Sequence, residues 1–265
     1  MLPLLEISER FERYFHLERR PLFVSGAEEM PEGAIPMGQV DRCVARALIM
    51  GASDRTIPPM VIGKEVKERC CPGGLMWLGL APPMSKLPYF LSTGTPDFRG
   101  GEAELLKPTP EAAQRFLQAP GEITPPGRYM IVCGADSVTD EEAVRSMLII
   151  GTAEQVRNLG GLVHYRKEDI FRSVLMPAGA ACSSMVTYAA GMASRAPRDT
   201  AYVGPVDPTG NPWFPPDALS FAAPIEMVRQ MAEDIPSSFI GKRAELAFPA
   251  RNGQANGQTS RREPA

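Results

Sequence analysis

The chain has 265 residues, 44% of them apolar, with a net charge of −3 and an isoelectric point near 5.6. That length can bury a substantial core, and the charge leaves no footprint for nucleic acid or an anionic membrane surface. Apolar runs break within about a dozen residues, short of the roughly 20 that a spanning helix needs.

Five cysteines, an odd number, argue against a disulfide framework. The first residues, Met1-Leu2-Pro3-Leu4-Leu5-Glu6, lack a basic region and a long apolar one. A cytoplasmic protein is the expectation. The 27 prolines predict many irregular connections.

In chain order, Leu4 to Phe15 has apolar residues at helical spacing, and Pro21 to Gly26 reads as a buried strand. Asp41 suits an N-cap, with a helix from Arg42 to Met50 that puts Cys43, Ala47 and Met50 on one face. Ile57 to Ile62 is a strand interrupted by prolines. Then comes Cys70-Cys71-Pro72-Gly73-Gly74, where Pro72 fits the first helical position and Cys71 its threshold. Gly73 and Gly74 leave the N–H groups of that first turn uncovered, and the helix dipole favours a thiolate there.

Thr109 caps a helix from Pro110 to Leu117, and Gly100-Gly101 reads as a turn rather than a phosphate cradle. Strands are predicted at Tyr129–Gly134 and Met147–Gly151. Thr152 caps a helix from Ala153 to Leu159, and Leu162 to Tyr165 reads as another short strand. Gly179 is a helix start that places Cys182 in the first turn. Strands at Ala201–Gly204 and Leu219–Ala222 flank a long turn, Val206 to Phe214, in which Asp207 and Asn211 either cap the turn or touch a substrate. Pro224 to Met231 closes as a helix. The composition from Ala250 onward predicts disorder.

The alternation of strands and helices predicts an α+β fold: one domain over residues 1–249, followed by a disordered tail, 250–265. A loose echo suggests two related halves. The strand at Leu22–Ser25 and the strand at Met147–Ile150 each lead to a cysteine-bearing helix.

Arg42-Cys43 before a helix, Cys71-Pro72-Gly73-Gly74 with Leu78-Gly79-Leu80, and Gly179-Ala180-Ala181-Cys182 together resemble the DUF169 family over about residues 21–231. The resemblance implies cysteines at these three places; it implies no activity, substrate or cofactor. The doublet Cys70-Cys71 departs from the pattern, and the proline that follows favours Cys71 as the matching residue.

Cys43, Cys71 and Cys182 are the candidate cofactor and metal ligands, with Gly73 and Gly74 beside them. Three thiols near helix starts suit zinc or an iron–sulfur cluster. Shared zinc would put the sulfurs about 4 Å apart, and a cluster roughly 6–7 Å. The spacings, 28 and then 111 residues, match no compact zinc ribbon or ferredoxin run. The bland alternative is buried core cysteines in a non-catalytic ligand-binding or accessory protein. Cys133, on a strand, belongs to the core. Arg42 and Arg69 either bind an anion, lower a thiol pKa or are simply solvated, the commoner outcome, and His164 is the one candidate base for a cysteine nucleophile. No dinucleotide, P-loop or zincin motif is present. The partner is then a small molecule or a redox protein, and homo-oligomerisation stays open.

Overall fold

The computed structural model describes residues 2–207 and 214–242. The expected tail and Asn211 lie outside the described residues.

The expected first helix spans Leu4–Phe15 (α1), burying Leu4, Ile7, Phe11 and Phe15 along one stripe. There follow β1 (Leu22–Ala27), β2 (Ile35–Pro36), the short α2 (Met37–Val40), α3 (Val44–Ser53), β3 (Met60–Gly63) and α4 (Pro72–Trp77). A segment carrying α5 (Leu87–Phe90) and α6 (Pro110–Gln118) leads to β4 (Tyr129–Cys133) and β5 (Val144–Thr152). The chain continues through α7 (Ala153–Val163), β6 (Val174–Leu175), a π-helical segment (Ser183–Thr187), β7 (Ala201–Gly204), β8 (Ala218–Pro224), α8 (Ile225–Asp234) and α9 (Phe239–Lys242).

These strands form one mixed sheet in the order β2-β3-β4-β1-β5-β8-β7-β6, and the fold is α+β. Strand periodicity divides the side chains between two faces. Leu22, Val24, Met130, Val132, Leu148 and Ile150 point to one face, where α3, α4 and the π-helical segment pack. Phe23, Met147, Ile149 and Phe221 point to the other, under α1, α7 and α8.

The echo in the sequence has a topological counterpart. From the centre outward, one half of the sheet runs β1, β4, β3, β2 and the other runs β5, β8, β7, β6. In each half the first strand pairs antiparallel with the fourth, the fourth antiparallel with the third, and the third parallel with the second. The halves join through the antiparallel pair β1–β5. An antiparallel pair is related by a two-fold normal to the sheet, so equivalent positions fall on the same face. Cys43 stands eight residues beyond Ile35, the first residue of β2, and Cys182 eight beyond Val174, the first of β6.

Two local expectations are corrected. Leu162 to Tyr165 is not a strand: α7 runs on to Val163 and His164 closes it. Leu159, Leu162 and Val163 continue its buried stripe. The glycine pair lies inside the helix, and Gly161 is where the Phe239 ring packs: a Cβ there would stand 2.9 Å from it. The helix predicted from Arg42 starts at Val44 instead, because the Asp41 carboxylate accepts from the Cys43 N–H at 2.8 Å and makes Cys43 the cap.

Candidate functional site

Cys71 sits where the sequence places it, as the N-cap of α4 with Pro72 in the first helical position. Its sulfur accepts from the Gly74 N–H at 3.3 Å. Its own N–H donates to the Arg42 carbonyl at 2.7 Å, which brings it against the start of α3. There the Cys43 thiol and the Val44 N–H both donate to its sulfur. The Cys71 sulfur therefore lies between the N-termini of two helices, which favours negative charge.

Cys182 enters from the opposite half of the sheet, at the start of the π-helical segment. That segment is tied to α4 by the Thr187 hydroxyl, which donates to the Trp77 carbonyl at 2.6 Å. Gly179, at φ +158°, is packed tightly within its own segment, since a Cβ there would stand 2.9 Å from Ser183 Oγ and 3.3 Å from the Tyr188 hydroxyl. Cys182 is near enough for its charge to act on Cys71, and the charge of Cys43 acts on Cys182. The three thiols are thus brought within electrostatic reach of one another. Among the described residues, however, no group of three or more His, Cys, Asp or Glu side chains is arranged to hold a single metal ion.

Hydrogen bonding from the Cys43 thiol, opposed by burial and helped by the Val44 and Gly74 N–H groups, brings the Cys71 thiol down to about 7. The strongest influences on it are thiols and backbone N–H groups, not a cationic side chain. Cys182 goes the other way. Burial pushes its thiol well up, and the nearby charges of Cys43 and Asp207 add to the push, against its own N–H and that of Ser183.

In the metal-free protein, alkylation of Cys71 by iodoacetamide is expected to be half-maximal near pH 7. Cys133, which burial pushes up to about 12, should stay unreactive throughout this range. A Cys71 midpoint above pH 8.5 by mass spectrometry contradicts this assignment. The stability signs differ likewise. A lowered thiol contributes stability that is complete above its unfolded value, about 8.5, and is lost as pH falls through 7. The raised thiols contribute below about 8.5 and lose that contribution as pH rises.

The other sequence candidates fall elsewhere. Cys70 is 8% exposed and turns toward α2, where the Gly38 N–H donates to it; burial raises its pKa. Cys133 packs with Val61, Tyr129 and Ile131, apart from the cluster that holds the three thiols. His164 ends α7 on the opposite face of the sheet and is no base for them. Arg42 and Arg69 are exposed.

The two glycines also differ. A Cβ on Gly74 would stand 2.7 Å from Val44 Cγ2 and 2.9 Å from the Cys71 sulfur, whereas one on Gly73 would meet nothing within 4 Å. Gly74→Ala should therefore cost about 1–3 kcal/mol through overpacking. Gly73→Ala should be neutral or stabilise by up to about 1 kcal/mol through helix propensity. Equal urea midpoints for the two variants contradict the close-packing account.

A cleft of about 420 Å³ adjoins α4, lined among others by Met76, Trp77, Leu80, Leu117 and Ile123. Trp77 belongs to the core cluster. It is 6% exposed, yet it lines both this cleft and a smaller one beside Tyr188 and Tyr202. No sequence signal marks that placement, because the second wall comes from a segment more than a hundred residues away.

No helix among the described residues is long and apolar enough to cross a membrane. No curated protein and no solved structure matches the chain. One family model does, over residues 10–234: DUF169, described as uncharacterised ArCR. That span takes in all three cysteine segments and the whole sheet, and the chain belongs to the DUF169 family.

Proposed function

We propose that Cys43, Cys71 and Cys182 form a thiolate site for an iron–sulfur cluster that serves redox chemistry in the cytoplasm. The observation that carries this reading is the setting of the sulfurs. They come from three segments, lie within electrostatic reach, and Cys71 and Cys182 each accept from backbone N–H groups. Such N–H donors tune the sulfurs of clusters, and an apolar surround keeps water off them. Single zinc is the poorer fit, because its ligands must converge far more closely than cluster ligands do.

Cys182 is buried. A thiol there is held neutral by its surroundings, and a bound cation is what would make it a thiolate. The three cysteines hold and orient the cluster. The helix N-termini offset the charge of the ligating sulfurs.

A second reading rests on the cleft beside Trp77, which has the size of a small-molecule site. On that reading the protein is a non-catalytic binding protein and the thiols are packing residues.

Anaerobic reconstitution of the full chain with ferric and ferrous iron and sulfide separates the two. The cluster reading expects broad visible absorption, with iron and sulfide retained in equal amounts after gel filtration. It expects that retention to be unchanged in Cys133→Ser. A colourless chain that retains neither supports the binding-protein reading.

A further inference from the structure

The smaller cleft beside Trp77 offers about 200 Å³, and its lining differs in chemistry from that of the larger one. Two aromatic pairs line it. Trp77, at the end of α4, meets Phe116 of α6 edge to face at 6.2 Å, and Tyr188 lies against Tyr202 of β7 at 5.4 Å. Both tyrosine hydroxyls are already engaged. Tyr202 donates to the Pro197 carbonyl at 2.6 Å, and Tyr188 hydrogen-bonds with the Ser183 side chain. Among the described residues that line this cleft, Arg195 is the one charged side chain. The larger cleft, by contrast, carries both Lys64 and Glu122.

Arg195 is held in place. Its N–H donates to the Pro120 carbonyl at 3.1 Å. Its stem lies over Gly121, where an added Cβ would come within 2.9 Å of Arg195 Cγ and 3.3 Å of Cδ. The backbone at Gly121 has φ +76°, a left-handed turn just beyond α6 that glycine adopts without strain. Among the described residues the guanidinium has neither an ion pair nor a hydrogen-bond partner.

We infer that this cleft binds a small aromatic carboxylate, with its ring among the four aromatic side chains and its carboxylate on Arg195. Size sets the first limit. A cavity of about 150 Å³ holds a benzene ring, so the space here admits one ring with a short acidic group. Aromatic walls favour a flat occupant through edge-to-face and offset stacking. The guanidinium fork matches a carboxylate with two parallel N–H donors, and charge makes those bonds strong. The assignment depends neither on the thiols holding a cluster nor on the larger cleft being occupied.

Isothermal titration of the full chain with benzoate, benzamide and acetate tests it. Benzoate is expected to bind about tenfold or more tighter than benzamide, which lacks the charge, and than acetate, which lacks the ring. Arg195→Met keeps a stem over Gly121 and removes the fork. It should weaken benzoate about tenfold or more and leave benzamide unchanged. Ala119 is exposed at the rim, and Ala119→Phe should fill the cleft and weaken both aromatic ligands. Benzoate bound no better than benzamide or acetate overturns the assignment. So does benzoate binding that neither substitution changes.

Discussion

Arg20→Met should lower the melting temperature by about 6–12 °C. The guanidinium is 4% exposed, and it gathers the end of α3. Nε donates to the Gly51 carbonyl at 2.9 Å, Nη2 to Ile57 at 3.0 Å and Nη1 to Arg55 at 3.4 Å. The Arg20 N–H itself reaches the Ala52 carbonyl at 3.0 Å. Removing the side chain leaves carbonyls without donors at a helix C-terminus, where a cation is also favoured, and costs about 3 kcal/mol. For a chain of this size each kcal/mol moves the melting temperature by about 2–4 °C. Arg20→Lys should recover only part of the loss, because an ammonium cannot reproduce the fork. A fall below about 2 °C by calorimetry contradicts the account. The other end of this helix carries Val44, so loosening it should also disturb the N–H that faces the Cys71 sulfur.

The second large effect is functional. Cys71→Ala should cut the iron retained after reconstitution about tenfold or more, since two thiols alone hold a cluster poorly. The metal-free variant should stay folded, losing about 1 kcal/mol for the missing N-cap. Iron analysis and urea unfolding on the same preparation check both halves of this expectation. Full iron retention, or a chain that cannot fold, contradicts it.

Local chemistry was legible in the sequence. Pro72 after Cys71, Thr109 before Pro110 and Thr152 before Ala153 each mark a cap found in the structure. Capping depends on residues within one turn, so a short window carries it. Where the structure departs from expectation, a distant partner or a side-chain bond decided the outcome. Gly161 makes room for Phe239, and the Asp41 carboxylate moves the start of α3 by two residues. The edge strands β2 and β6 have two residues each, too few to show a period. The order of the strands could not be read at all, because pairing is set by contacts between residues far apart in the chain.

The candidate site was legible in part for the same reason. The helix start at Cys71 follows from Pro72, while helical residues before Cys182 begin at Ala181 rather than Gly179, and the approach of one to the other needs the sheet. The repeat that relates Cys43 to Cys182 is hidden by residues 64–128, inserted between β3 and β4 with no counterpart of similar length between β7 and β8.

The central claim is that one cluster is shared by three cysteines from both halves of the sheet. Diffraction from anaerobically reconstituted crystals at the iron absorption edge tests it most directly. The account predicts one compact anomalous peak bounded by the sulfurs of Cys43, Cys71 and Cys182. Iron bound at Cys70 or Cys133, iron held away from any of the three sulfurs, or no iron at all contradicts it.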